Sequence, residues 1–345
     1  MPLELVAVAP RSPVLREYEE PELQPDQVRI KSTFSSPKHG TEQGFYEGIS
    51  PFNLGTYDEE MKIFLPRKDR GGDFPVRLGN MTIGTVIEVG KEAKRFKVGD
   101  QAFGHLPIAQ THAVTEDQLH AVPAGMSPEA IVCLDPAEFA LGAVRDAHVR
   151  LGDKVAIFGM GAIGLMVLQM VKLSGAAQVI VVDPLPLRRE TALRLGAHMA
   201  LDPEVIDVGL EIKRATGGNG ADVAIEASGS YSALHEAIRC AAYGSRVTPL
   251  AFYLGEGKGL RLGDEWHMNR IILVSSRACS DPNPDHPAWD DARIVATCFT
   301  MLRDGKLTAD GIVTPIVPLE KSAEAYRLIV DDPSRMIKLG VSYPD

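Results

Sequence analysis

A glycine-rich segment between an apolar strand and an apolar helix is the part of the chain with the clearest chemical meaning. The run Val155–Phe158 is typical of a buried strand, and it leads directly into a G-x-G-x-x-G motif. In this context the first glycine permits a tight turn, the second lets backbone N–H groups approach a pyrophosphate, and the third lets helix and strand pack closely. The pattern predicts a dinucleotide site at Gly159, Gly161, Ala162, Ile163 and Gly164.

The residue after the next predicted strand indicates which dinucleotide binds. Residues 178–182 form a second apolar strand that ends in Asp183. A carboxylate at this position accepts hydrogen bonds from the ribose hydroxyls and repels a 2′-phosphate. Arg188 is able to reach a phosphate, but its spacing better suits stacking or pairing near the adenine. The sequence therefore favours NAD over NADP.

The composition sets limits on the class of protein. With 345 residues, 45% hydrophobic and 24% charged, the chain is expected to fold as two globular domains. A net charge of -10 argues against partners such as nucleic acid or an anionic membrane. No apolar run is long enough to span a bilayer, and the N-terminus has no signal-peptide pattern, so we expect a cytoplasmic protein. The four cysteines are scattered in apolar segments and are expected to be reduced core thiols.

The character of the chain changes near residue 127. Residues 1–125 are predicted to be β-rich, apart from a polar insertion at 51–76 that is expected near the mouth of a site. A helix is predicted at 128–144, and after it strands alternate with helices as in a doubly wound parallel sheet. The six predicted strands are 154–158, 178–182, 198–201, 222–226, 246–250 and 271–275.

Several short motifs spread over nearly the whole chain resemble the medium-chain dehydrogenase/reductase superfamily. They are Gly84–Gly90, Phe96–Asp100, Leu151–Val155, Leu195–Ala197, Asp222–Gly229 and Lys338–Gly340. The resemblance implies an α/β fold with two domains: a GroES-like catalytic domain (1–147 and 286–345) and a Rossmann NAD-binding domain (148–285), with the active site in the cleft. It also implies a cofactor contact at Ser228, hydride transfer between nicotinamide and a substrate carbon, and a homodimer or homotetramer.

The chain departs from the zinc-dependent members of that superfamily at their ligand positions. Their Cys-Gly-Thr/Ser-Asp is replaced by His39–Glu42, and their Gly-His-Glu by Gly79–Met81. A Leu-Glu-Pro of the sorbitol dehydrogenase branch is Leu134–Pro136 here. Amide and thioether groups are poor zinc ligands, and the four-cysteine structural zinc lobe is absent as well. The sequence thus predicts a member without metal.

Without zinc, a side chain must hydrogen-bond the substrate oxygen and exchange its proton. His39 is the first candidate, because it occupies a former ligand position and titrates near neutrality; alternatively it only fills space. Thr41 matches the hydroxyl that relays the proton in the zinc relatives. Glu42 and Asp135 are further acid–base candidates. Glu42 matches a family Asp that usually only supports the site, and Asp135 either orients His39 or caps the helix that follows Pro136. The substrate-binding candidates are Asn80 and His112.

The predicted pocket is polar, which favours a polar small-molecule substrate. We therefore expect an NAD-dependent, zinc-independent dehydrogenase that interconverts a secondary alcohol (a polyol, sugar or cyclitol) and its ketone. Two alternatives stay open at this point. One is a quinone or enone reductase of the same superfamily, and the other is a non-catalytic NAD(H)-binding protein.

Overall fold

The computed structural model describes residues 1–67, 74–277 and 288–344, and it divides into two compact units. The first unit combines Met1–Val132 with Val313–Asp345, and the second is Cys133–Ile312. The C-terminal tail therefore completes the N-terminal unit, as the resemblance implied. Each unit has its own apolar core.

The strands and helices have the following bounds. The strands are β1 (Leu3–Ala7), β2 (Pro13–Glu17), β3 (Gln27–Ser36), β4 (Gly55–Asp58), β5 (Ile63–Pro66), β6 (Val76–Arg77), β7 (Met81–Val89), β8 (Gln101–Gly104), β9 (Thr111–Thr115), β10 (His120–Ala121), β11 (Lys154–Phe158), β12 (Gln178–Val182), β13 (Met199–Leu201), β14 (Ala221–Glu226), β15 (Ala241–Pro249), β16 (Ile272–Leu273), β17 (Val313–Pro318) and β18 (Lys338–Ser342). The helices are α1 (His39–Tyr46), α2 (Pro51–Leu54), α3 (Pro128–Val132), α4 (Leu134–Asp146), α5 (Ala162–Leu173), α6 (Pro186–Arg194), α7 (Val208–Ala215), α8 (Tyr231–Cys240), α9 (Asp291–Arg303) and α10 (Ser322–Asp331).

The second unit is built on a parallel sheet of six strands. Their spatial order is β13-β12-β11-β14-β15-β16, which is the order of a dinucleotide-binding fold. The central strand β11 is buried on both faces, which explains its continuous apolar sequence. The predicted doubly wound sheet is confirmed.

The first unit is mostly antiparallel. Its largest sheet has the order β10-β8-β7-β3-β18-β17, with β9 also paired to β3. The long strand β3 lies in the middle of this sheet and pairs with β7, β9 and β18. Its alternating apolar residues, such as Val28 and Ile30, face a core. Near its end β3 pairs with β18, through Ser35 and Val341. This pairing brings the C-terminal strand beside the segment that leads into α1.

Several predicted boundaries differ from the observed ones. The second unit begins before and ends after the predicted limits of 148–285, because α4 packs against both α5 and α9. The helix predicted at 128–144 is two helices that meet at Cys133. The strand predicted at 271–275 is reduced to the two residues of β16. The pattern of apolar residues in a sequence does not mark where a helix, strand or domain ends, because these ends depend on tertiary neighbours.

The prediction that residues 51–76 form a polar insertion was wrong for the part that the structure describes. The described part of this insertion contains α2 and the hairpin of β4 and β5, and its exposed side chains include the apolar residues Phe52, Leu54, Ile63, Phe64 and Leu65. The described residues 51–67 therefore include an ordered apolar surface in place of the predicted polar loop.

Two expectations drawn from composition can be compared with the described residues. Cys133, Cys240 and Cys298 are buried free thiols, as predicted, while Cys279 lies outside the described residues. Burial raises the pKa of the Cys298 thiol to about 12, which makes it inert as a nucleophile. No helix in the described ranges has both the length and the apolar character needed to cross a membrane.

Candidate active site

The glycine motif has the geometry that a dinucleotide turn requires. Gly159 lies at a φ of +87°, and a Cβ there would stand 2.7 Å from the backbone nitrogen of Ser228. A Cβ on Gly164 would stand 1.8 Å from the carbonyl oxygen of Gly159. By contrast, nothing lies within 4 Å of the Cβ position of Gly161 at the start of α5. The turn is therefore closed toward the protein and open where a pyrophosphate would approach the helix N-terminus.

Asp183 is buried at the end of β12 and is tied to this turn. Its carboxylate accepts the backbone N–H of Met160 at 2.7 Å and that of Leu185 at 2.8 Å. Arg188 lies 3.8 Å from the carboxylate, and its own burial lowers the pKa of the guanidinium. Asp183 thus holds the glycine turn against the neighbouring strand end and places a negative charge there.

Ser228 follows the end of β14, on the other side of β11. Its backbone N–H donates to Glu226 at 2.7 Å, and its hydroxyl donates to the same carboxylate. The hydroxyl of Tyr253 is a further donor to Glu226. Burial raises the pKa of the Glu226 carboxyl, against the effect of its donors. This cluster fixes the loop that packs on Gly159, so Ser228 is held beside the turn.

In the first unit, helix α1 presents two different faces. One face carries Glu42 and, four residues later, Tyr46, which packs edge-on against Tyr326 with 5.1 Å between the ring centroids. The Glu42 carboxylate accepts the backbone N–H groups of Lys38 at 2.6 Å and Gly79 at 3.0 Å, and the Tyr326 hydroxyl at 2.9 Å. Desolvation raises the pKa of Glu42, and the charge of Lys338 acts against that rise. The carboxylate therefore holds three parts of the unit together.

His39 is the first residue of α1, and its ring is fixed by the C-terminal strand. Its Nε2 accepts the backbone N–H of Leu339 at 3.1 Å. Since Nε2 uses its lone pair in this bond, the hydrogen of the neutral ring is on Nδ1. The neighbouring Lys338 is buried and donates from Nζ to the carbonyl oxygen of Pro37 at 3.0 Å. Strand β18 thus fixes both the entry to α1 and the tautomer of His39.

Two polar groups of the first unit, one on α1 and one beside Gly79, have no hydrogen-bond partner among the described residues. The Nδ2 of Asn80 is buried without a hydrogen bond, although its backbone N–H donates to the carbonyl of Ser36 at 3.0 Å. The half-buried hydroxyl of Thr41 has no hydrogen-bond partner among the described residues. A buried donor that makes no hydrogen bond destabilises the protein by about 1–3 kcal/mol. A substrate oxygen would satisfy these groups.

Two other candidates have different surroundings. His112 is on β9, where it pairs with Ile30; its ring has a hydrogen bond with the backbone of Ala109, while its buried Nε2 has no hydrogen-bond partner among the described residues. Asp135 is buried in the first turn of α4, in the second unit. A carboxylate in the first turn stabilises a helix through its dipole, which gives Asp135 a structural role.

The residues at the former ligand positions do not fit a catalytic zinc. Such a site takes three nitrogen, sulfur or carboxylate ligands from the protein. Here the Nε2 of His39 is already an acceptor for Leu339, Asn80 contributes a buried amide, and Met81 contributes a thioether. Among the described residues, no three His, Cys, Asp or Glu side chains are grouped so that they could hold a metal ion.

Comparison with known proteins places this architecture in a family. The chain is 43% identical to D-guloside 3-dehydrogenase of Escherichia coli K12, over 98% of this chain and 99% of that protein. The chain belongs to the medium-chain dehydrogenase/reductase superfamily. It is also 27% identical to (R,R)-butanediol dehydrogenase of Bacillus subtilis, over 90% of both chains. The crystal structure of 2R,3R-butanediol dehydrogenase from the same organism matches it with a TM-score of 0.77 at 23% identity, over 100% of both chains.

Membership makes the chain a dehydrogenase of the medium-chain type, whose members use NAD or NADP. The profile of a family described as zinc-binding dehydrogenase matches residues 162–290. That segment lies within the nucleotide-binding half and includes none of the positions of His39, Asn80 and Asp135. The match agrees with the family that the 43% identical relative shows, and it carries no information on these three positions.

The sequence did not single out three groups that the structure brings to α1. These are the Tyr326 hydroxyl, the Leu339 backbone N–H and the buried Lys338. Each lies about 300 residues from its partner, and Lys338 was noted only as part of a motif shared with the family. A lysine in an apolar strand was the one available signal, because a buried charge needs a partner.

The burial of His112 gives a testable pH dependence. Desolvation and the charge of Arg77 lower the pKa of His112 from 6.5 to about 4. The unfolded chain then binds more protons between these values, so stability contributed by the neutral ring is lost as the pH falls from 6.5 to 4, by roughly 3 kcal/mol. We expect His112→Phe to flatten this part of the stability curve in urea unfolding at pH 7 and pH 4. An unchanged pH dependence in the variant would contradict this assignment.

Proposed function

We propose that this protein is an NAD-dependent dehydrogenase that oxidises a secondary hydroxyl group of a sugar or polyol without zinc. The observation that carries the proposal is the buried amide of Asn80, whose Nδ2 has no hydrogen-bond partner in the described part of the chain; the half-buried hydroxyl of Thr41 adds a second polar group. An apolar substrate would leave the Asn80 donor unsatisfied, whereas a polyhydroxylated one supplies several oxygens. The similarity to an enzyme named D-guloside 3-dehydrogenase supports the same substrate class.

In this proposal His39 is a neutral hydrogen-bond donor and not the proton-exchanging base that its residue type suggested. The Leu339 N–H faces Nε2, so a second ring proton there would break that bond. The positive end of the α1 dipole also disfavours a charged imidazolium at the first helical position. A neutral histidine at a helix N-terminus is able to polarise a carbonyl group through its N–H. His39 thus replaces part of the electrophilic role of zinc.

The other two residues complete the substrate contacts. The Asn80 Nδ2 donates a second hydrogen bond to the substrate oxygen, which stabilises negative charge as it develops there. The Thr41 hydroxyl relays the substrate proton to solvent, since it is half-buried and uncommitted. Glu42 is a positioning residue, because its carboxylate is occupied by three donors. Asp135 and His112 take no part in the reaction.

The nicotinamide cofactor fits the second unit. The open position above Gly161 and the N-terminus of α5 would hold the pyrophosphate, and Asp183 would contact the adenosine ribose. Ser228 and Arg188 would line the same site. When bound, the cofactor supplies the hydride acceptor for oxidation of the alcohol. No observation on this chain favours a quinone or enone as the substrate.

The preference for NAD is the first test of this proposal. We expect calorimetry to show NADH binding at least about tenfold tighter than NADPH, a difference of about 1.4 kcal/mol. Asp183→Ser should reduce the ratio of NADH affinity to NADPH affinity, because the charge that opposes a 2′-phosphate is removed. Asp202→Ser is the matched control: Asp202 pairs with Arg189 at 2.9 Å near the same strand ends, and its variant should keep the ratio. Tighter binding of NADPH by the native protein would overturn the assignment.

The absence of zinc is the second test. The groups at the former ligand positions cannot complete a tetrahedral zinc site. We expect elemental analysis of the purified active enzyme to find well under one zinc per chain, and the activity to persist after prolonged chelation. Stoichiometric zinc whose removal abolishes activity would show that His39 is a ligand and that the proposal of a metal-free site is wrong.

The role of His39 is the third test. We expect His39→Ala to lower kcat by roughly 10²–10³-fold, the loss typical of one oxyanion donor, while His39→Gln retains more activity because it keeps an N–H donor. NADH affinity should be unchanged in both. Gln43→Ala, one helical turn further along α1, is the control and should resemble the native enzyme.

The pH dependence of the same variants separates a donor from a base. If His39 only donates, the rise of kcat with pH in the oxidative direction should persist in His39→Ala at the lower rate. Its disappearance in that variant would show that His39 exchanges the substrate proton, as its residue type alone predicts.

A further inference from the structure

Four aromatic side chains form a continuous surface beside α1, which we call the aromatic ridge: Phe45, Phe52, Tyr57 and Phe64. The rings of Phe45 and Phe52 are stacked with 6.1 Å between centroids. Phe52 and Phe64 meet edge to face at 5.3 Å, and Tyr57 lies 5.1 Å from Phe64. These spacings are those of favourable aromatic pairs. The ridge thus runs from α1 through α2 to the hairpin of β4 and β5.

The ridge begins on the same face of α1 as Thr41. Thr41 and Phe45 are four residues apart, so their side chains lie one helical turn apart on one face. Glu42 and Tyr46, each one position further along, lie about 100° around the helix and are committed to the interior through Tyr326. The hydroxyl that we assign to the substrate oxygen is therefore continuous with the first ring of the ridge.

The outer part of the ridge is exposed to a degree that is unusual for such residues. Phe52 is 44% exposed and Phe64 is 41% exposed. Their apolar neighbours Leu54, Ile63 and Leu65 are exposed as well, and charged residues such as Lys62 and Glu59 border them. A contiguous apolar patch with a polar rim marks a binding surface.

We propose that the aromatic ridge binds the aglycone of a glycoside. The sugar ring of this glycoside would be oxidised at the site formed around Thr41. This rests on the proposed function and specifies its substrate class further. A pyranose or aryl ring is about as wide as the spacing between successive rings of the ridge, and its flat apolar face stacks on aromatic side chains. The sugar ring would occupy the polar groups around Thr41 and Asn80, and the group at its glycosidic oxygen would extend over Phe45 toward Phe52 and Phe64. The ridge makes the enzyme prefer glycosides to free sugars.

The test compares methyl and phenyl glycosides of the same hexopyranose, with oxidation followed by NADH absorbance. We expect the native enzyme to favour the phenyl glycoside in kcat/KM, through a lower KM. Phe52→Leu and Phe64→Leu keep an apolar side chain but remove the flat face, and each should reduce this preference by about 3- to 10-fold. Met61→Ala is the matched control. Met61 is 64% exposed in the turn of the same hairpin and has no aromatic ring, so its variant should keep the preference.

Three results would overturn the aromatic ridge as an aglycone site. One is equal efficiency of methyl and phenyl glycosides in the native enzyme, which leaves the proposed function intact. Another is that the leucine variants lose activity equally toward both substrates and that light scattering gives a smaller mass for their assembly. This result would identify the surface as a subunit contact. The third is a preference for the phenyl glycoside that both leucine variants retain in full.

The failure of the proposed function has a different signature, because neither glycoside would then be oxidised. In that case calorimetry with phenyl hexopyranoside tests the ridge directly. Binding that weakens in Phe52→Leu and Phe64→Leu but not in Met61→Ala supports the ridge, and absence of binding to the native protein overturns it.

Discussion

The buried carboxylate of Glu42 is the interaction on which the candidate site depends. It joins the start of α1 through Lys38, the turn before Asn80 through Gly79, and helix α10 through Tyr326. His39 and Thr41 are carried by the first of these segments and Asn80 by the second. A charge buried in this way is stable only with several donors. The same requirement that satisfies Glu42 therefore fixes the relative positions of the two segments that carry His39, Thr41 and Asn80, the residues of the proposed site.

Strand β18 adds the second constraint on the site. It pairs with β3, donates its Leu339 N–H to His39, and places the ammonium group of Lys338 on the carbonyl of Pro37. In a zinc enzyme the metal itself would orient its ligands. Here the orientation of the histidine comes from a backbone hydrogen bond to a strand near the end of the chain. This backbone hydrogen bond defines the tautomer of His39.

Helix α1 shows how one short segment serves stability and binding together. Its inner face, with Glu42 and Tyr46, is bound to Tyr326, and its outer face carries Thr41 and Phe45. Positions 42 and 46 lie about 100° around the helix from positions 41 and 45, so the two pairs of side chains point in different directions.

The sequence by itself determined the nucleotide-binding fold and its turn. A continuous apolar strand, three spaced glycines and Asp183 are local signals, and the parallel sheet with β11 at its centre follows from them. The sequence also proposed His39, Thr41 and Asn80 as candidates, through residue type and their place in a family pattern. Only the tertiary structure decided which hydrogen bonds these residues make within the protein. The partners of Glu42 and His39 lie about 300 residues away, and no local pattern encodes such contacts. The apolar surface at 51–66 escaped the sequence for a related reason: its aromatic residues have no helical or strand period, so only their packing shows them to be one surface.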